Sequence, residues 1–310
     1  MVIGRPSIDN VRSVAARAPA KINLALHVGP PGADGFHEIA TTYQAVSLDE
    51  IVTVEEADDL SVVVTRADAD LVPTDGSNLA VRAAVTLADH VGREPRVRLA
   101  ITKRVPVAGG LAGGSADAAA ALVACDALWQ TSVGRAALLE LAATLGSDVP
   151  FALTGGTAIG AGRGDRLTAT LVRGQSHWVL AIAEHGLGTA DVYAHLDRLR
   201  AGHEVSVARV DLPVTAALAA GDQAALGRAL VNDLEPAALA LRPELRKTLS
   251  AGRDAGALGG LVSGSGPTCA FLARDAEHAL DLAVALSATG VCRTVKRVRG
   301  PVAGAQLLPG

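Results

Sequence analysis

The sequence predicts an α+β chain built as two units, and three observations carry that prediction. Strand-like runs crowd the first hundred or so residues instead of alternating with helices, which argues against a doubly wound parallel sheet. A strand, a glycine-rich turn and an alanine-rich helix follow one another over residues 96–122. Near 165–176 the character of the chain changes, and a fresh buried strand, HWVLAIA at 177–183, opens a mainly helical stretch to about 255. The expected division is therefore 1–170 and 171–310.

Taken in order, residues 1–13 read as a loose tail. VAARAPAKINLALHV (14–28) and EIATTYQAVSL (38–48) read as strands, joined by GPPGADGFH, whose prolines and glycines force a loop. EIVTVEE (50–56) and LSVVVTR (60–66) continue the β signal. SNLAVRAAVTLADHVG (77–92) is a helix with Ser77 or Asn78 as cap and Gly92 as stop. RVRLAITKRV (96–105) is a strand again. GRAALLELAATLGSDVPFAL (134–153) reads as a helix broken at Gly146-Ser147-Asp148, and TGGTAIGAGRGDRL (154–167) as loop-rich. In the second unit two strands flank SGSGP (263–267), a helix covers 275–289, and VCRTVKRVRG (291–300) closes the pattern.

Composition narrows the class. Of the 310 residues 49% are hydrophobic but only 2% aromatic, so the core must be built from Ala, Val and Leu with helices set close on sheets. A net charge of -4 argues against general attraction to nucleic acid or an anionic membrane. Cys125, Cys269 and Cys292 have no metal-ligand spacing and cannot all pair, which points to a reduced, cytoplasmic setting. The start lacks an apolar h-region and no window approaches the ~20 apolar residues of a membrane span, so neither a signal peptide nor a span is expected.

The stretch PVAGGLAGGSADAAAAL (106–122) joins the two extremes of backbone freedom. Glycines without Cβ let N–H groups wrap an anion, and the helix behind aims its free N–H groups and partial positive charge at the same place. An alanine face lets that helix lie close to its neighbours. Two other phosphate loops fit poorly: Ser115-Ala116 stand where a P-loop needs Lys-Ser/Thr, and Leu111 stands at the third position of a dinucleotide fingerprint. A tight strand-to-helix turn without ligand is the plainer reading.

Three stretches in order resemble the GHMP kinase superfamily, which includes galactokinase, homoserine kinase and mevalonate kinase: APAKINLALHV (18–28), PVAGGLAGGSADAAAAL, and LVSGSGPTCAFL (261–272). ADGFHEI (33–39) and GSDVPFALTGGTAIGAGRGD (146–165) resemble the branch of that superfamily that acts on a cytidine-diphosphate-linked polyol. The resemblance implies an N-terminal ATP-binding domain, a C-terminal ferredoxin-like substrate domain and an active site in the cleft between them. It implies ATP-dependent phosphorylation of the 2-hydroxyl of CDP-methylerythritol, with Mg²⁺ held mainly through ATP and no metal-ligating side chain. A small-molecule substrate, no nucleic acid, no membrane, and a monomer or weak homodimer complete the expectation. Rival readings are a kinase of homoserine or a mevalonate-like alcohol, a nucleotide-binding oxidoreductase, and a non-catalytic RNA-binding module.

By residue chemistry alone, Asp148 reads as a helix cap. Lys21, among apolar neighbours, is costly unless paired or facing a cleft, and Asn23 shares its face by the period of two. The resemblance makes Asp148 and Lys21 catalytic and places Asn23, Phe36, His37, Thr189, Tyr193, Gly264, Ser265 and Gly266 at the substrate. Many relatives carry Tyr where this chain has Phe36. The same resemblance gives ATP to Pro106, Val107, Ala108, Gly109, Gly110, Leu111, Ala112, Gly113, Gly114 and Ser115. Alternatives stay open for several of these: Thr189 and Ser115 as caps, Tyr193 as a core residue, Phe36 as simple packing. Asn78 reads as a nucleotide contact or a cap, and Asp117 as a metal contact or, more simply, a solvated or capping carboxylate.

Overall fold

A computed structural model describes residues 12–66 and 68–309. Most of the expected tail, residues 1–11, lies outside the described residues, and the first strand already starts at Ser13. That strand, β1 (Ser13–Pro31), and β2 (His37–Glu56) make one long antiparallel hairpin. The two runs read separately at 38–48 and 50–56 are thus a single strand, because β1 pairs with it from Ser13↔Glu55 to Pro31↔His37 across small irregularities.

The first sheet grows outward from this hairpin. β2 pairs β4 (Val97–Thr102), which pairs β3 (Ser61–Thr65) in parallel. The other end of β2 pairs β5 (Thr157–Gly162), which pairs β6 (Arg166–Ala169). The segment read as loop-rich, 154–167, is therefore mostly strand. Within β5 Gly160 marks a close approach: a Cβ there would sit 2.7 Å from the Tyr43 ring, while Gly162 and Gly164, both at positive φ, belong to the turn into β6.

Helices cover one face. α1 (Leu79–His90) is capped by Asn78, whose Oδ1 accepts from the Ala80 N–H at 2.9 Å. α2 (Gly113–Trp129) buries Ala116, Ala118, Ala119, Ala120, Ala121 and Ala124, so it is enclosed nearly all round by α1, β1 and β2. α3 (Arg135–Leu145) and α4 (Val149–Thr154) follow, separated at Gly146-Ser147-Asp148.

The second sheet is antiparallel, in the order β11 (Thr294–Gly300), β7 (Ser176–Ile182), β10 (Cys269–Ala273), β9 (Gly259–Val262). Numbered within the unit this order is 4-1-3-2, the ferredoxin-like arrangement. α5 (Thr189–Arg200), α8 (Glu235–Leu241), α9 (Leu245–Asp254) and α10 (Ala276–Thr289) pack over Val179, Ala181, Phe271 and Val262 on one face. On the other face Trp178, Leu180 and Leu272 meet Ala20, Ile22 and Leu24 of β1, with α6 (Leu212–Ala220) and α7 (Gln223–Ala229) alongside. The middle of β1 is buried on both sides for this reason, which explains its continuous apolar run.

Two short strands cross between the units. β8 (Val231–Asn232) and β12 (Gln306–Leu307) both join β1. Residues beyond β11 return to the first sheet: the Val302 N–H donates to Ala45 O at 3.2 Å and the Leu308 N–H to Ala15 O at 2.8 Å. Among the described residues no helix is long and apolar enough to cross a membrane.

Candidate active site

A cleft of about 870 Å³ runs between the units, lined by the inner ends of β1 and β2, the glycine loop, the α3–α4 junction, the β5–β6 turn, α5 and the β9–β10 turn. Its floor is β1. Lys21 and Asn23 are buried on the face that looks into it, two residues apart as strand geometry demands. Lys21 Nζ donates to Asn23 Oδ1 at 2.8 Å. Asn23 Nδ2 donates to Thr41 Oγ1 at 2.8 Å, and that hydroxyl donates to Ala25 O at 2.7 Å. The amine is thereby aimed by a relay of neutral groups, leaving its charge for something else.

That partner is Asp148. Its Oδ2 lies 3.7 Å from Lys21 Nζ. Asp148 occupies the N-cap position of α4, yet its side chain accepts no capping hydrogen bond. The cap reading from chemistry alone is corrected here: the chain turns at Gly146, and the carboxylate projects into the cleft instead of back onto the helix.

The glycine loop rests on the second unit. Its backbone bonds run to both sides: Lys21 N–H to Leu111 O at 3.1 Å, Thr268 N–H to Gly109 O at 3.3 Å, Leu187 N–H to Ala108 O at 3.2 Å. Ser263 Oγ donates to Gly110 O at 3.2 Å. Left-handed backbone falls on Ala108, Gly110 and Ala112, so two of the three left-handed positions are alanines. The glycines serve mainly by their slimness. A Cβ on Gly109 would lie 3.1 Å from Pro106 O, and one on Gly113 would lie 3.1 Å from Lys103 Nζ. Gly110 combines φ +76 with near-contact to the Ser263 and Gly266 backbone. Leu111 turns its side chain into the core with Ile22 and Leu24. Ala108, Gly109, Gly110, Ala112 and Gly113 line the cleft; Pro106 is buried, while Gly114 is exposed and Ser115 half-buried in the first turn of α2.

Beneath the loop lies an ionic triad. Lys103 Nζ meets Glu50 Oε1 at 2.7 Å and Asp117 Oδ2 at 2.6 Å, all three buried. Asp117 is thus no solvated or capping carboxylate; it anchors the first turns of α2 to β4. Glu50 also accepts from the Arg104 and Val105 N–H groups. Burial, then the Asp117 charge, pushes Glu50 up to about 7 against the pull of Lys103. Burial raises Asp117 also.

At the far end of the cleft the His37 ring stacks on Tyr193 with centroids 5.1 Å apart, and His37 Nε2 pairs with Asp197 Oδ1 at 2.8 Å. Phe36 is 55% exposed, with the Arg163 guanidinium 4.1 Å from its ring centre. Arg163 also bonds Asp34 at 3.0 Å. The Phe36 N–H, then Arg163, holds the Asp34 carboxyl below its usual range. From the second unit Thr189 Oγ1 meets Ser265 Oγ at 3.0 Å; Thr189 is the first residue of α5 and no cap. Gly264 abuts Lys21 and Asn23: its Cβ would lie 3.2 Å from Lys21 Nζ and Asn23 Oδ1. Asn232 Nδ2 fixes that turn by donating to Val262 O and Gly264 O. Gly266 packs inward, toward Val262. Sequence reading overlooked Tyr43, Arg163, Asp165 and Asp197, all of which line the cleft. Tyr43 alone left a trace, as one of two tyrosines in an aromatic-poor chain.

Two sheets, a cleft on their seam and a slim loop leading into a buried helix define a nucleotide-dependent small-molecule kinase fold. The chain belongs to the GHMP kinase family: the model for the GHMP kinases N terminal domain matches residues 78–156, and that for the GHMP kinases C terminal domain matches 214–292. It is 56% identical over 300 residues to the 4-diphosphocytidyl-2-C-methyl-D-erythritol kinase of Mycolicibacterium gilvum, covering 96% of this chain and 93% of that one. It is 54% identical over 297 residues to the enzyme of the same name from Streptomyces coelicolor, covering 96% and 99%. A crystal structure of 4-(cytidine 5'-diphospho)-2C-methyl-D-erythritol kinase superposes with a TM-score of 0.75 at 32% identity, over 96% of this chain and 100% of that one. Homoserine kinase from Cytophaga hutchinsonii shares the fold, with a TM-score of 0.73 at 20% identity over 99% and 100%.

Proposed function

We propose that this chain transfers the γ-phosphoryl group of ATP to the 2-hydroxyl of 4-(cytidine 5'-diphospho)-2-C-methyl-D-erythritol. The observation that carries the reading is the Lys21–Asp148 pair at 3.7 Å, set in the cleft beside the glycine loop. Asp148 accepts the proton of the attacking hydroxyl. Lys21 steadies the reacting oxygens. Asn23 and the Gly264–Ser265 turn hold the polyol end of the substrate next to Lys21. Transfer needs little covalent help from protein, so positioning and charge do most of the work.

The loop from Pro106 to Ser115 holds the ATP phosphates. Its shape is set by close packing: at Gly109, Gly110 and Gly113 a Cβ would meet other atoms of the protein at about 3.1 Å or closer. Gly114 and Ser115 present N–H groups at the start of α2. Among the described residues no three His, Cys, Asp or Glu side chains gather as a cation site. Asp117 is held by Lys103 beneath the loop. The Ser115 hydroxyl, in the first turn of α2, would be available to a divalent ion brought in with ATP, and that ion would supply charge neutralisation.

Phe36, His37 and Tyr193 receive the cytosine, by stacking and by hydrogen bonds from His37. Phe36 keeps the stacking face of the tyrosine common in relatives and lacks its hydroxyl. Residues 1–170 supply the ATP loop, the reacting pair and the substrate contacts of Asn23, Phe36 and His37, and 171–310 close the substrate side with Thr189, Tyr193 and the Gly264–Ser265 turn. An ADP-release assay run in parallel with the cytidyl substrate, homoserine and mevalonate tests the reading. Turnover is expected with the cytidyl substrate alone. Turnover with homoserine or mevalonate, and none with the nucleotide, overturns it.

A further inference from the structure

Helix α5 turns one stripe to the cleft, Thr189, Tyr193 and Asp197, at the spacing that sets side chains above one another on a helix face. Thr189 meets Ser265, and Tyr193 stacks on the His37 ring. Asp197 completes the stripe: it reaches across the cleft, from the second unit to the first, and pairs with His37 Nε2 at 2.8 Å. Among the described residues this is its one ion pair and its one side-chain hydrogen bond. Stability is a poor reason for the contact, because the Asp197 side chain is 44% exposed and pairs so open to water contribute little. What the contact governs is the ring. Tyr193 holds the plane of the buried His37 side chain, and Asp197 holds one of its edges.

An ionised carboxylate only accepts hydrogen bonds, so Nε2 carries the proton, and in a neutral imidazole the other nitrogen is then an acceptor. His37 Nδ1 has no protein partner among the described residues and is not sealed from solvent, so it is free to serve a ligand in the cleft. We propose that Asp197 is a positioning residue for base recognition: by fixing the tautomer and edge of His37 it presents Nδ1 as an acceptor and so selects cytosine over uracil. The 4-amino group of cytosine donates where uracil carries a 4-oxo acceptor. Nδ1 pairs with the first and meets only another lone pair on the second. Asp197 acts through His37, and its carboxylate supplies the direction of the bond. The inference rests on the reading above, that Phe36, His37 and Tyr193 receive the base.

The test measures kcat and KM at about pH 8, where an unperturbed imidazole is neutral, for the cytidine-diphosphate-linked substrate and for its uridine counterpart. Asp197→Ala should raise KM for the cytidine substrate roughly tenfold and shrink the cytidine-over-uridine preference in kcat/KM by a similar factor. KM for ATP should stay within about twofold of wild type, which a general loosening of the cleft would not give. An unchanged preference overturns the proposal. A second readout needs no turnover: with ¹⁵N-labelled histidine, long-range ¹H–¹⁵N spectra report which ring nitrogen holds the proton. The signal of His37, one of eight histidines, is assigned by its loss in His37→Ala. Wild type should show the proton on Nε2, and a proton on Nδ1 overturns the proposal. His37→Ala also separates the two readings. If it raises KM for the cytidine substrate while Asp197→Ala leaves KM and preference as in wild type, the base pocket stands and the role of Asp197 falls. If His37→Ala leaves that KM unchanged, the base-pocket reading itself falls, and this proposal with it.

Discussion

Replacing Glu50 by glutamine tests the buried triad under the nucleotide loop. Glu50 has an ordinary value of 4.5 and is held at about 7 in the fold, first by burial and then by Asp117. A carboxyl raised on folding adds stability that is complete below its unfolded value, about 4.5, and is lost as pH rises through about 7. The full displacement corresponds to about 3 kcal/mol, most of which falls between pH 5 and 8. The amide of the Glu50→Gln variant cannot ionise, so its contribution is flat. It also lacks one acceptor for the Arg104 and Val105 N–H groups, a cost that is the same at every pH. Urea unfolding at several pH values from 5 to 8 gives both curves. The wild type should lose roughly 2–3 kcal/mol more than Glu50→Gln over that range. Parallel curves would show that Glu50 ionises normally and that the triad does not store this energy.

Three further outcomes follow from the geometry. Asp148→Asn should lower kcat by roughly 10²–10⁴-fold while ATP affinity, measured by titration with a non-hydrolysable analogue, stays within about twofold; a larger change in affinity would place Asp148 on the nucleotide instead. Gly110→Ala and Gly114→Ala should separate folding from binding. Gly110 has φ +76 and no room, so alanine there costs about 2–4 kcal/mol in stability. Gly114 has only Leu79 at 3.5 Å; its alanine variant should melt like wild type and raise KM for ATP about tenfold, and an unaltered KM would move the phosphates elsewhere. In thiol titration of the native protein Cys125 and Cys269 should be silent, since both are buried, with Cys125 pushed up to about 12 by burial. Only half-buried Cys292 is open to slow labelling, and all three should react in denaturant.

Much of this site was legible where function and local pattern coincide. Lys21 and Asn23 betrayed themselves as polar residues on one face of an apolar strand. The glycine–alanine boundary marked the loop and its helix because both needs, slimness and order, are written in adjacent residues. Asp148 was ambiguous without a family, since a carboxylate after a helix-ending glycine looks the same whether it caps or catalyses. The misreadings came from partners distant in the chain. Asp117 looked solvated because Glu50 lies 67 positions away and nothing local ties them to Lys103. Tyr43 and Arg163 enter the cleft only through the pairing of β2 with β5 and the turn that follows. Glycines in 154–167 announced a loop, although two of them, Gly160 and Gly164, provide clearance for the Tyr43 side chain beside a sheet.

The return of residues 301–308 to the first sheet links the order of synthesis to the order of assembly. The strand that bears Lys21 gains one neighbour, β12, only from residues made after all the others of the second unit. During translation the phosphate loop and the reacting pair exist before their sheet has its last stave. Truncation after Gly300 would therefore unpair Ala16 and Arg17 from β12 in the first sheet while leaving all four strands of the second in place.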